Sequence, residues 1–153
     1  WETILRSDLG GHSTHFLQEN DLLCAGKARN NYFILLDELK EPTVCSPHFF
    51  RLRVKDPHRI LPQYLSWLLN SDMIQNRLQA EQVGTTTFSI RKETLQKLTI
   101  PIPPIREQAH LMELAQTVEK HTQRQKQLLQ TNHQLMNGIA QQLFKNYGSN
   151  THG

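Results

Sequence analysis

Residues 103–146 read PPIREQAHLMELAQTVEKHTQRQKQLLQTNHQLMNGIAQQLFKN, and this stretch decides the architecture. No proline interrupts it after Pro104, and Leu111, Leu114, Val118, Leu128, Leu135 and Ile139 recur at spacings of three, four and multiples of seven. That period belongs to a helix with one apolar seam and predicts a single long helix over residues 104–147. At a rise of about 1.5 Å per residue the helix would be on the order of 60 Å long, more than a small domain needs to cover its own core. Much of it is expected to pack on another surface.

The seam resolves into two heptad rows. Leu111, Val118, Gln125, Asn132 and Ile139 fall on one position; Leu114, His121, Leu128, Leu135 and Gln142 fall on the other. Gln125 and Asn132 interrupt the apolar row. Amides at such positions lower stability but fix register, because a shifted pairing buries them without partners. Leu129, Met136, Leu143 and Phe144 widen the stripe toward the C-terminal half, which suggests more than one neighbour. Gly138 costs roughly 1 kcal/mol relative to alanine inside a helix, yet it would let a second backbone approach closely. The plainer alternative is an ordinary amphipathic core helix.

Working outward, a chain of 153 residues with 37% hydrophobic content fits one domain of ordinary size plus this helix. No signal peptide or transmembrane run is evident. The first residue is Trp1 rather than methionine, so an upstream neighbour is expected. Cys24 and Cys45 are too few for a disulfide scaffold and read as reduced thiols. The net charge is +3, a mild excess that permits a polyanionic partner without demanding one.

Before the helix, Gly10-Gly11 and His12-Ser13-Thr14-His15 read as a turn or loop. His12 and His15 fall short of the three or four ligands of a zinc site, and no metal is assigned. Asn20-Asp21 is a turn, and Leu22 to Gly26 is a short strand. Lys27-Ala28-Arg29-Asn30-Asn31 then packs two cations and two amides into five residues. These donors suit phosphate oxygens and base edges, while a solvated hairpin connection explains them equally well. Tyr32 to Leu36 is a second strand.

The clearest strand is Phe49 to Lys55. Its alternation places Phe50, Leu52 and Val54 inward and Phe49, Arg51, Arg53 and Lys55 outward. Three cations on one face could line a phosphate backbone, although a charged outer sheet face is the commoner explanation. Pro62 opens a helix carrying Leu65, Leu68 and Leu69, and Ser71-Asp72 reads as the cap of another with Met73, Ile74 and Leu78. Gly84 stops it. Thr85 to Ile90 reads as a turn and an extended piece. A short helix follows from Arg91 to Lys97, and Leu98 to Pro103 alternates as an edge strand whose prolines cannot donate to a ladder.

Taken in order, Asn20-Asp21-Leu22-Leu23, the strand from Ser46 to Lys55, Pro62-Gln63-Tyr64-Leu65, Leu69-Asn70-Ser71, Gly84-Thr85-Thr86, Ile90, Leu95, Leu98 and Ile100-Pro101-Ile102-Pro103-Pro104 with Glu107-Gln108 resemble the DNA specificity subunit of type I restriction-modification systems. The resemblance covers most of the chain. It implies an α+β fold: a small mixed-sheet globule with short helices, the target recognition domain, over residues 1–103. One long helix over 104–147 would pack as an antiparallel coiled coil with a partner helix, and residues 148–153 would be a disordered tail. In that family the recognition domain carries more sequence at its front, so this one is expected to be truncated there.

The function implied is that of a non-catalytic specificity subunit, or half-subunit, reading half of a bipartite double-stranded DNA target in the cytoplasm. Its partners would be methyltransferase subunits, a restriction/translocase subunit and a second specificity unit, in cis or as a homodimer. S-adenosylmethionine, ATP and magnesium would belong to those partner subunits, with no cofactor in this chain. The candidate DNA-binding residues are Lys27, Arg29, Asn30 and Asn31, with Arg51, Arg53, Arg91 and Lys92 as backbone clamps. The candidate helix-pairing residues are Leu111, Leu114, Val118, Gln125, Leu128, Asn132, Leu135 and Ile139. Two alternatives remain open: a coiled-coil scaffold that never touches DNA, and a hydrolase using Cys45 and His48. The absence of a Gly-rich phosphate loop, paired carboxylates or a Gly-x-Ser-x-Gly elbow favours a binder over an enzyme.

Overall fold

The computed structural model describes residues 16–26, 31–81 and 90–147, together with the backbone of residues 6–7. The expectations placed on His12 and His15, on Lys27, Arg29 and Asn30, on the extended piece 85–89 and on the tail 148–153 lie outside the described residues. The chain divides into two compact units, residues 1–112 and 113–153.

In the first unit, strands β1 (Arg6–Ser7), β2 (Leu22–Ala25), β3 (Phe33–Leu35) and β4 (Phe49–Arg53) form one sheet in the order β1-β4-β2-β3. Every pairing is antiparallel, so the expectation of a mixed sheet is corrected. The physical reason is connectivity. A parallel neighbour needs a long crossover, usually helical, whereas β2, β3 and β4 follow one another without an intervening helix. The period-2 pattern sends Leu22, Cys24, Phe33 and Leu52 to one face. There they meet Tyr64, Leu65, Leu68 and Leu69 of α1 (Pro62–Leu69), Ile74 and Leu78 of α2 (Asp72–Ala80), and Leu95 of α3 (Lys92–Lys97) in a single apolar core.

Pro62 opens α1 as its sequence predicts, and Ser71 occupies the N-cap position of α2. The Ser71 hydroxyl, however, donates to the Leu68 carbonyl (2.6 Å) and makes no side-chain cap bond. Residues 98–104 form no strand, which corrects the edge-strand expectation. Pro101 and Pro103 lack N–H donors, and the segment is held from the side: Ile100 is buried, and the Tyr64 hydroxyl donates to the Pro101 carbonyl (3.1 Å).

The long helix exists as α4 (Ile105–Tyr147). Its first turns belong to the first unit, and there Gln108 has no exposed surface at all. Its Oε1 accepts from the Leu61 N–H (2.9 Å), the residue capping α1, while its Nε2 donates to the Arg59 (2.9 Å) and Pro103 (2.8 Å) carbonyls. One amide therefore satisfies three backbone groups. Leu111 and Met112 lie half-buried against the core, so Leu111, expected in the helix-pairing seam, packs within this unit.

The second unit contains the remainder of α4. Along it Leu114, Val118, Leu128, Leu135 and Ile139 of the expected seam are exposed, as are Leu129, Met136, Leu143 and Phe144. Gly138 has open space where a Cβ would stand. Among the described residues no helix is long and apolar enough to cross a membrane.

The Gln108 geometry generates a stability test. Gln108→Ala strands one buried N–H and two carbonyls, so it should lower unfolding free energy by about 3 kcal/mol, whereas the exposed neighbour change Glu107→Ala should alter it by less than about 0.5 kcal/mol. Urea denaturation followed by circular dichroism measures both.

Candidate nucleic-acid interface

The expected DNA-facing residues separate into two groups. Arg51 and Arg53 sit on β4 on the face opposite the core-facing Leu52, as the alternation expects, but that face is not left to solvent. Arg51 is only 6% exposed, and its Nη1 donates to the Phe16 carbonyl (3.1 Å). Phe16 itself bridges to Val44, and the Leu17 N–H donates to the Thr43 carbonyl (2.8 Å), so chain segments cover what a two-layer reading takes as the solvated face.

Arg53 clasps Asp21 side-on. Its Nε meets Oδ1 at 2.6 Å, and one Nη meets Oδ2 at 2.7 Å. The same Nη donates to the Phe16 carbonyl at 3.3 Å. The fork of the guanidinium matches a carboxylate bidentately, which gives this pair its directionality.

Asp21 is wholly buried, and its Oδ2 also accepts from the Gln18 N–H (2.9 Å). The turn that delivers it depends on Asn20, whose φ of 66° lies in the left-handed region that asparagine tolerates better than most residues. Asp21 further ties the strands together, since its carbonyl accepts from the Leu36 N–H (2.8 Å). Arg51 and Arg53 thus hold the sheet's outer layer together.

The second group surrounds the other end of β2. Gly26 donates its N–H to the His48 carbonyl (2.8 Å), and its own carbonyl accepts from the Ile90 N–H (3.1 Å). A Cβ at Gly26 would meet the His48 oxygen and the Phe50 ring at 3.3 Å each, tight enough to favour glycine. Gly26 directly precedes Lys27, and Ile90 directly precedes Arg91, the N-cap of α3, and Lys92, its first residue. One backbone hydrogen bond therefore joins the flanks of the two cation-bearing segments. Arg91 is exposed and Lys92 half-buried.

Asn31 takes a different place from the one expected of a base reader. It is 1% exposed, and its Oδ1 is buried without a hydrogen-bond partner among the described residues. Its carbonyl accepts from Gln75 Nε2 (3.1 Å), which also donates to the Leu69 carbonyl (2.8 Å). Two residues on, Asn70 exchanges both bonds with Phe33: the Phe33 N–H donates to Oδ1 (2.8 Å), and Nδ2 donates to the Phe33 carbonyl (2.7 Å). Asn70 lies in the motif Leu69-Asn70-Ser71, but nothing in its spacing reveals that its amide would imitate a strand on the outer edge of β3.

The Cys45 thiol contacts the Ser46 (3.5 Å) and Phe49 (3.8 Å) carbonyls. Burial pushes its pKa up, and Arg51 only partly opposes this. A thiol held neutral is a weak nucleophile, which tells against the Cys45–His48 hydrolase. Cys24, buried in the core, is pushed up to about 12 by desolvation. Among the described residues no three or more His, Cys, Asp or Glu side chains gather as a metal site.

Residues 4–134 match the family model described as "Type I restriction modification DNA specificity domain". No curated protein matches the chain.

The geometry separates the cations engaged within the fold from the exposed Arg91. Asp21→Ala should lower stability by about 2 kcal/mol, short of the full cost of an orphaned buried charge because the Arg53 side chain is one-third open to water. Arg91→Ala should leave the melting curve within error. Thermal unfolding of the two variants beside the wild type measures this difference.

Proposed function

The chain belongs to the family of type I restriction-modification DNA specificity domains, and from that premise we propose that it reads one half of a bipartite double-stranded DNA target and positions the subunits that modify or cleave it. The observation that carries the reading is the match across residues 4–134, which takes in the globular unit and much of α4. Methyltransferase and restriction/translocase subunits are the proposed partners in the cytoplasm. S-adenosylmethionine, ATP and magnesium are assigned to those subunits, and the chain itself is assigned no catalytic step.

Within this reading Lys27, Arg29 and Asn30 reach base edges, and Arg91 and Lys92 neutralise phosphate beside them. The Gly26–Ile90 hydrogen bond supports placing these residues on one surface. Loop amides and cations discriminate bases, each bidentate contact being worth about 1–3 kcal/mol, whereas cations at a helix start mostly meet phosphate. The exposed seam of α4 supports a pairing with the helix of a second specificity unit, antiparallel, in cis or across a homodimer.

Binding measured over a salt series, combined with selection from a random DNA pool, tests the reading. The wild type should select a sequence. Lys92→Ala should weaken binding to all sequences and reduce the salt slope by about one unit, and Asn30→Ala should relax preference at one position while leaving the slope unchanged. A chain that binds no DNA at low salt would leave the scaffold reading in its place.

Sedimentation tests the pairing separately. Leu128→Glu with Leu135→Glu places charges in the seam and should convert a dimer to a monomer whose globular unit stays folded. A wild-type chain that remains monomeric at high concentration would refute homodimeric pairing.

A further inference from the structure

Tyr32 is the exposed aromatic residue of an alternating run in which Ile34 is exposed to the same extent. It is 60% exposed, yet it stands between Asn31 at 1% and Phe33 at 2%. Large aromatic side chains left in water cost apolar exposure, and at binding surfaces they supply contact area with few rotatable bonds to immobilise. The backbone on both sides of Tyr32 is fixed from outside the sheet. Gln75 holds the Asn31 carbonyl; Asn70 holds both the N–H and the carbonyl of Phe33, with the Ser66 hydroxyl donating to the same carbonyl at 3.4 Å.

The strand ladder does not account for this rigidity. Pairing between β2 and β3 stops at Cys24 with Phe33, so Tyr32 lies one residue beyond it. Past that point Gly26 turns to His48 and Ile90, and Asn31 turns to Gln75. A tight hairpin would have zipped further along these two strands. Here side-chain amides from the α1–α2 corner take up the backbone groups and hold one exposed aromatic residue in place.

We propose that Tyr32 is a specificity-determining DNA contact, and that Asn70 and Gln75 are positioning residues that preorganise it without touching DNA. The proposal rests on the DNA-reading function above. A phenol suits this role because its hydroxyl both donates and accepts, matching a base edge, and its ring can pack on a thymine methyl group. Fixing the backbone beforehand removes the ordering cost that a mobile residue would incur on binding. Tyr32 lies two positions after the segment 27–30 in sequence, so its contact adds to the base reading proposed for Lys27, Arg29 and Asn30.

The test uses the whole chain with double-stranded oligonucleotides: the site selected by the wild type, single-base variants of it, and an unrelated duplex. Tyr32→Ala should reduce preference for the selected site about tenfold, while binding to the unrelated duplex, the salt slope and the melting temperature stay unchanged. Gln75→Met removes the donor at nearly constant volume and should cause part of the same loss. Combining the two should be no worse than Tyr32→Ala alone, because both act through one contact.

Gln75→Lys, which restores a donor, should recover preference. Additive losses, or a Gln75→Met effect confined to melting temperature, would overturn the positioning role. Unchanged preference in Tyr32→Ala would overturn the contact while leaving the DNA-reading function standing. If the wild type selects no sequence, the DNA reading fails and the Tyr32 contact fails with it.

Discussion

The structure of the first unit depends on a backbone constraint. Its strands are three to five residues long where β2, β3 and β4 are concerned, so ladders alone cannot satisfy the peptide groups. Among the described residues, the side-chain amides of Asn70, Gln75 and Gln108 take up several of these groups. Asn70 closes the outer edge of β3, Gln75 serves the carbonyls of Asn31 and Leu69, and Gln108 serves Arg59, Leu61 and Pro103. An amide carries donors and an acceptor together, so it can replace a missing strand or helix turn in a way that a carboxylate or an ammonium cannot. Each such bond adds only about 1 kcal/mol net, but leaving the backbone groups buried and unpaired would cost more.

The same constraint explains the sheet's two faces. One face is apolar and covered by helices, as alternation in the strands requires. The other carries Arg51 and Arg53, cations that an exposed sheet would offer to solvent. Here they are drawn onto the Phe16 carbonyl and the Asp21 carboxylate. A charged pair of this kind gains little over apolar packing, but its geometry is demanding, so it fixes how the segment before β2 lies against β4. Cations that serve the fold in this way differ in kind from Arg91, which stands exposed beside the Gly26–Ile90 hydrogen bond.

Much of this was legible in the chain. The α4 period, the strands β2, β3 and β4, Pro62 at the start of α1 and the short helix ending at Lys97 all follow from spacing and turn chemistry, because those signals are local. What spacing misses is long-range. Alternation says that Arg51 and Leu52 point to opposite faces, but it cannot say that another segment will cover the second face. Leu98, Ile100 and Ile102 alternate like a strand, yet the segment has no ladder because Tyr64 holds it from the side. Asn31 reads as a polar loop residue and is buried, since Gln75, distant in sequence, captures its backbone. Among the described residues the missed polar contacts of Arg51, Arg53, Tyr64, Gln75 and Gln108 each include a partner more than thirty positions away in sequence.

Unit by unit, the chain contrasts two ways of stabilising a helix. The first turns of α4 are fixed by tertiary contact, with Gln108 fully enclosed and Leu111 and Met112 against the core. Beyond residue 112 the expected seam residues are exposed, and Thr117, Thr122 and Thr131 turn their hydroxyls onto carbonyls four residues back. Such back-bonding slightly weakens a helix rather than supporting it. Helices in water draw most of their stability from burying an apolar face, and this one leaves Leu114, Val118, Leu128 and Leu135 exposed. The seam is regular, and Gln125 and Asn132 interrupt it at the positions where a polar group selects register. This pattern is what the proposed pairing rests on, and Leu129, Met136, Leu143 and Phe144 widen it toward the C-terminal half.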